Sequence, residues 1–267
     1  MGSMSKIGLC YCPTPTKLTT STPLSSKLKP SLCNYNNNTN NTNNNNNNNN
    51  TLSHIQTSGL IACLRAPSAE LAIGAARAAL NSGIQVLEVV MSTPDVFEVL
   101  HQLLKEYPTI TLGVGTILKA EDAKEAIKVG AKFLMSPVMI QDILLNIKDD
   151  EVLYIPGVMT PTEILTAYNA GAIIVKLYPV SALGGVEYIA ALKKPFGHIP
   201  MVASQGISIG QIREYIIRGA SAVVLSDAIF EEESVKQGNF DCISQRARLA
   251  ASVANEAVKH RRMVQGL

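Results

Sequence analysis

Residues 83–97 read GIQVLEVVMSTPDVF, and they contain one strand followed by the start of one helix. The run QVLEVVM (85–91) is short, β-branched and apolar on successive residues, as a strand buried on both faces should be. Thr93-Pro94-Asp95 then supplies a capping hydroxyl, a proline for the first helical turn and an acid for the positive helix end. Gly83 stands where the preceding helix must stop. A strand that runs straight into a helix is half of a parallel βαβ unit.

The same unit recurs along the chain. Further runs are GLIACLR (59–65), TITLGVG (109–115), AKFLMS (131–136), EVLYIPG (151–157), IIVKLYP (173–179), PMVAS (200–204) and SAVVLS (221–226). Helical patterns lie between them, opened by Pro67-Ser68-Ala69-Glu70, Lys119-Ala120-Glu121-Asp122 and Thr160-Pro161-Thr162-Glu163. Gly130, Gly171 and Gly219 mark helix ends, and VGAKF, AGAII and RGASA each run from such an end into the next strand. Eight strands alternating with helices predict a single α/β domain, a (β/α)8 TIM barrel, over residues 59–267. A doubly wound open sheet fits less well, because no G-x-G-x-x-G follows the first strand.

Composition narrows the function. The chain has 267 residues, 46% of them hydrophobic, and no apolar run reaches the roughly 18 residues that a membrane span requires. No Asp or Glu precedes Glu70. Setting aside Lys6, Lys17, Lys27 and Lys29 of the head leaves 19 of the 23 basic residues against 21 acidic ones. Such a body lacks a phosphate-backbone footprint, so nucleic acid is not an expected partner, and neither is a membrane. Of the five cysteines, Cys10, Cys12 and Cys33 lie in the head, while Cys63 and Cys242 are far apart and form no ligand-like cluster. Reduced thiols, no metal and no cofactor are expected.

Residues 1–58 differ from the rest. They are rich in Ser, Thr, Pro, Lys and Asn and include the run Asn43–Asn50. Such a segment buries too little apolar surface to offset its ordering entropy, so disorder is expected throughout it. Basic, hydroxyl-rich and acid-free is also the composition of a transit peptide. A plastid is the expected destination, with a mitochondrion or the cytoplasm as alternatives.

In a barrel of this kind the working face lies at the C-terminal ends of the strands. The polar residues placed there are Arg65, Glu88, Ser92, Thr116, Ser136, Lys176, Ser204 and Ser226. Two of them interrupt apolar runs. Lys176 either reaches the rim, pairs with an acid, or is held as a neutral amine that can attack a carbonyl. Glu88 is costly to bury without a partner, and either pairs with Lys176 or works beside it as a general acid/base. Arg65 can clamp a substrate carboxylate or simply cover a helix end. Thr116, Ser204 and Ser226 can bind substrate oxygens or cap helices. Gly184-Gly185 forms either a ligand-approach loop or an ordinary turn.

These residues resemble a known family. GIQVLEVVMSTP (83–94), LGVGTIL (112–118), YIPGVMTPTE (154–163), VKLYPVSALGGVEYIAAL (175–192) and VASQGIS (202–208), in that order, are similar to the 2-keto-3-deoxy-6-phosphogluconate/4-hydroxy-2-oxoglutarate (KDPG/KHG) aldolases. The resemblance implies a trimeric barrel with metal-free Schiff-base chemistry. Its lysine, in a K-F/L-F/Y-P strand, falls on Lys176; its proton-shuttling glutamate, in L-E-V, falls on Glu88. Its G-x-G-T threonine falls on Thr116. The implied enzyme is an aldehyde-lyase that cleaves a 4-hydroxy-2-oxo acid to an aldehyde and pyruvate.

The sequence departs from the family where substrate is recognised. Ser92 stands where an arginine of LEV-x-x-R-T helps hold the carboxylate, and Arg65 is the candidate to compensate. The T-G-G-I phosphate loop becomes Ser204-Gln205-Gly206-Ile207, and a G-G-S becomes Val224-Leu225-Ser226. Leu225 is expected to crowd an amide nest that needs glycine. These changes point to a smaller or unphosphorylated 2-oxo acid, or to a changed reaction. Two other readings stay open: a decarboxylase of a 2-oxo diacid in the same pocket, and a barrel without turnover that serves in binding or assembly.

Overall fold

A computed structural model describes residues 45–147 and 152–266. All the predicted strands form, trimmed at their ends: β1 (Leu60–Leu64), β2 (Val86–Val90), β3 (Thr111–Gly115), β4 (Phe133–Met135), β5 (Leu153–Ile155), β6 (Gly157–Val158), β7 (Val175–Leu177), β8 (Met201–Ser204) and β9 (Ala222–Leu225). The helices are α1 (Asn45–Ser58), α2 (Ala69–Asn81), α3 (Val96–Glu106), α4 (Ala120–Val129), α5 (Gln141–Asn146), α6 (Pro161–Asn169), α7 (Gly185–Lys193), α8 (Ile212–Ile217), α9 (Glu232–Lys236) and α10 (Phe240–Gln265). Every strand pair is parallel, and the order β5-β4-β3-β2-β1-β9-β8-β7-β6 follows the chain around a barrel.

The fifth predicted strand is split into β5 and β6. Pro156 lies between them and has no N–H to give to a ladder. Its carbonyl still accepts from the Lys176 N–H at 2.8 Å, while that of Ile155 accepts from Ser136 at 3.3 Å. β5 therefore pairs with β4 and β6 with β7, and the barrel closes through the break.

Side-chain alternation along each strand sorts residues between two apolar layers. Leu60, Ala62, Leu64, Leu87, Val89, Val175, Leu177, Met201, Ala203, Val223 and Leu225 pack outward against the helices. Ile61, Val86, Phe133, Met135, Leu153, Ile155, Ile174, Val202, Ala222 and Val224 fill the interior. Local signals act as expected at several junctions. Ser68 caps α2 by accepting from Leu71, and Thr160 with Glu163 forms a full capping box on α6. Gly83, Gly130, Gly171 and Gly219 all adopt left-handed φ between 106° and 110° at helix stops. Asp95, by contrast, takes φ 52° and makes no side-chain cap.

One boundary needs correction. Residues 45–58, expected to be disordered, form α1 and belong with the barrel. Ile55 is fully buried among the interior residues, with Leu52 beside it. The guanidinium of Arg261 donates to the carbonyls of Ala220 and Gln56, and Arg262 donates to Thr57, so α10 holds α1 in place. Two apolar residues after the Asn run, Leu52 and Ile55, thus extend the interior layer at this end of the barrel. The rest of the expected targeting segment, residues 1–44, lies outside the described residues.

If α1 is a working part of the core, Ile55→Ala should cost about 2–4 kcal/mol in urea unfolding. Ser53→Ala, on its exposed side, should stay within about 0.5 kcal/mol. Equal effects at both positions would mean that α1 does not seal the barrel.

Candidate active site

Strand alternation decides which polar residues meet. Glu88 lies between outward-facing Leu87 and Val89, Lys176 between Val175 and Leu177, and Ser204 follows Ala203. All three therefore point inward. They line one cavity of about 660 Å³ at the C-terminal end of the strands, together with Arg65, Thr116, Gly206 and Ser226. The predicted site residues Lys176, Glu88, Arg65, Thr116, Ser204, Gly206 and Ser226 are thus brought together.

Glu88 is fully buried, and neither carboxylate oxygen has a hydrogen-bond partner among the described residues. Room for it comes from β3. A Cβ on Gly115 would sit 1.3 Å from Oε1 of Glu88, so only glycine admits the carboxylate there. Gly113 does the same for the Phe133 ring one step lower. Lys176 is 6% exposed, and its Nζ lies 5.5 Å from the centroid of the Tyr178 ring, within cation–π range. No ion pair joins Lys176 to Glu88; the five pairs among the described residues lie elsewhere. The amine and the acid share the cavity without neutralising each other by contact.

Four expectations are corrected or refined. Ser136 points outward, where its hydroxyl accepts from Tyr154 at 3.0 Å, and it is absent from the cavity wall. Leu225 also points outward, into the helix-facing layer, so it does not crowd the site; Val224 is the residue that faces the cavity. Ser92 lies on a neighbouring hollow of about 310 Å³, where its hydroxyl accepts from the Arg65 guanidinium. Gly184-Gly185 forms a left-handed turn that does not line the cavity.

Several lining residues were not singled out from sequence. The Lys176 amine lies over the Tyr178 ring, and Gln205, Gln211 and Asp227, which follow β8 and β9, also line the cavity. Thr116 and Gln205 adopt φ 59° and 84°, left-handed values unusual for residues with a Cβ and a recurrent mark of functional loops. Gln205 is held there by Ser181, whose hydroxyl donates to its side-chain oxygen. Cys63 pairs in register with Glu88 on the next strand. An inward position on β1 was the available signal for Cys63.

Burial pushes the Cys63 thiol well above its ordinary range, and the nearby negative charge of Glu88 raises it further, against a smaller opposing effect of Lys176. A raised value means less reactive thiolate at a given pH. Iodoacetamide at pH 8 should therefore label Cys63 at least about tenfold more slowly in the folded protein than in urea. Equal rates, read by mass mapping, would contradict a half-buried thiol held protonated beside Glu88.

Known proteins resemble this chain in sequence and fold. The family model described as KDPG and KHG aldolase matches residues 52–246. The KHG/KDPG aldolase of Escherichia coli (strain K12) is 26% identical over 202 residues, 76% of this chain and 95% of that protein. The 2-dehydro-3-deoxy-phosphogluconate aldolase of Pseudoalteromonas atlantica is 30% identical over 183 residues, covering 68% and 85%. Among solved structures, the KDPG aldolase of Legionella pneumophila, with pyruvate captured as a covalent carbinolamine intermediate, superposes with a TM-score of 0.70 at 25% identity, covering 75% of this chain and 97% of that one. With a family match over most of its barrel and an inward lysine and glutamate on one cavity, this chain belongs to the KDPG and KHG aldolase family.

Proposed function

We propose that the chain is a class I aldolase in which Lys176 forms the Schiff base and Glu88 moves the protons. The observation that carries this reading is a buried amine and a buried, unpartnered carboxylate on the wall of one cavity. The neutral amine adds to C2 of a 4-hydroxy-2-oxo acid, and the carbinolamine takes a proton on oxygen and loses water to give an iminium. Glu88 takes the proton of the 4-hydroxyl. The C3–C4 bond then breaks, its electron pair becoming the enamine double bond as the aldehyde departs. Protonation at C3 and hydrolysis release pyruvate and restore the amine. The iminium is the electron sink, so the residues need only position and transfer protons.

The carboxylate of the substrate falls to Arg65 in this reading. Its guanidinium reaches the Ser92 hydroxyl across β1 and β2, so a cation stands at the end of β2 although β2 supplies none. Thr116 presents a further donor on the same wall. Leu225 faces away from the cavity, and with that one of the two departures, Ser92 and Leu225, that favoured a decarboxylase or a barrel without turnover loses its force.

Sodium borohydride with pyruvate should fix a mass adduct on Lys176. Lys176→Ala should remove that adduct and lower turnover by roughly four orders of magnitude or more, while the folded state persists by circular dichroism. An adduct on another lysine would displace Lys176 from the mechanism, and a variant that merely unfolds would make the lysine structural.

We infer in addition that three copies associate, as the family resemblance implies. Leu118, Val138, Leu145, Met159, Leu165 and Tyr168 are exposed apolar residues, all from the sector between β3 and β7. Large apolar residues concentrated in one sector favour a buried contact. Light scattering after size exclusion should give the mass of three chains, and Leu145→Asp should lower it. A monomeric mass for the unmodified chain would end this inference.

A further inference from the structure

Glu88 has one strand neighbour on each side of β2. On β3 its register partner is Gly113, and Gly115 leaves the room that its Oε1 occupies; neither glycine has a side chain to offer a proton. On β1 its register partner is Cys63, an inward, half-buried residue that lines the same cavity. We propose that Cys63 is a positioning residue for Glu88, its S–H serving as the neutral donor that aims the carboxylate during proton transfer. The proposal rests on the class I aldolase reading and adds a residue to it.

Three observations carry it. First, Glu88 is fully buried and neither oxygen is hydrogen-bonded among the described residues, so its ionised form lacks the donor that burial demands. Second, the other polar groups that β1 to β3 bring to the cavity are Arg65 and Thr116. Arg65 donates to Ser92, and Thr116 faces the substrate in the reading above. Third, the thiol and the carboxylate act on each other. The charge of Glu88 affects the thiol more than that of Lys176 does, and a thiol proton turned toward the carboxylate adds to the effect. A thiol suits this place because it is a weak donor. A cation in contact would hold Glu88 ionised, whereas a base that also returns its proton needs both states within reach. Burial keeps the thiol protonated, so it donates and does not compete for the proton.

The test uses the full chain and pyruvate, a probe independent of the distal end of the substrate. In D2O the pyruvate iminium loses a methyl proton to Glu88, becomes the enamine and takes a deuteron back, which NMR reads as loss of the methyl proton signal. Borohydride trapping on Lys176 reads imine formation separately. Cys63→Ser keeps a donor, Cys63→Val keeps apolar bulk without one, and Cys63→Ala has neither. Exchange should fall roughly tenfold in Cys63→Val and Cys63→Ala and stay within about threefold in Cys63→Ser, with the adduct yield and circular dichroism unchanged. Full exchange in Cys63→Val, or an equal loss in Cys63→Ser and Cys63→Ala, would make Cys63 a packing residue and overturn the proposal while the adduct leaves the aldolase reading standing. Absence of both adduct and exchange in the unmodified, folded protein would remove the aldolase reading and this inference with it.

Discussion

A strand in a closed barrel has two sides, and a shift of one residue exchanges them. That constraint fixes most of what this molecule can do. In β2 it sends Leu87 and Val89 to the helices and leaves Glu88 inside; in β7 it sends Val175 and Leu177 out and keeps Lys176 in. An inward carboxylate then needs space, which the neighbouring strand supplies by having no side chain at Gly115. The two residues with the greatest chemical potential are thus placed by the same rule that builds the apolar core.

The same rule explains which sequence expectations held. Successive apolar runs with glycine and proline punctuation made the eight strands and their order legible, because each signal is local. Glu88 and Lys176 were legible because a charge inside an apolar run is conspicuous. Ser136 and Leu225 were misassigned because proximity to a strand end does not say which way a side chain points; Phe133 and Met135 inside, and Ala222 and Val224 inside, put both residues outside. The helix α1 was hidden for a different reason. Asparagine is a poor helix former, and the stabilisation comes from Leu52 and Ile55 meeting strands far along the chain. Tertiary burial of that kind leaves little trace in composition.

The site also contains features that a packed core would avoid. Among the described residues, both oxygens of Glu88 lack partners, Thr116 and Gln205 hold left-handed backbones, and Lys176 is buried without an ion pair. Each is unfavourable by the ordinary rules of polar burial and backbone preference. They occur together on one cavity, whereas the ion pairs and capping boxes are placed on the exterior. Local instability concentrated at one place is what a site that must bind, ionise and release requires.

The proposed role of Arg65 beside Ser92 illustrates how such a site could change its parts and keep its field. Removing an arginine from the end of β2 takes away one positive charge, but β1 is the hydrogen-bonded neighbour of β2, with Leu64 opposite Val89. A long side chain one residue beyond Leu64 therefore needs to cross only a single interstrand gap to return that charge to nearly the same point. The Ser92 hydroxyl, short and uncharged, both opens the space and anchors the visiting guanidinium. An arginine further around the barrel could not do this without crossing the cavity itself. In the proposed reading, the order of strands, rather than the identity of the residue at any one position, is what lets the carboxylate end of the site survive the substitution.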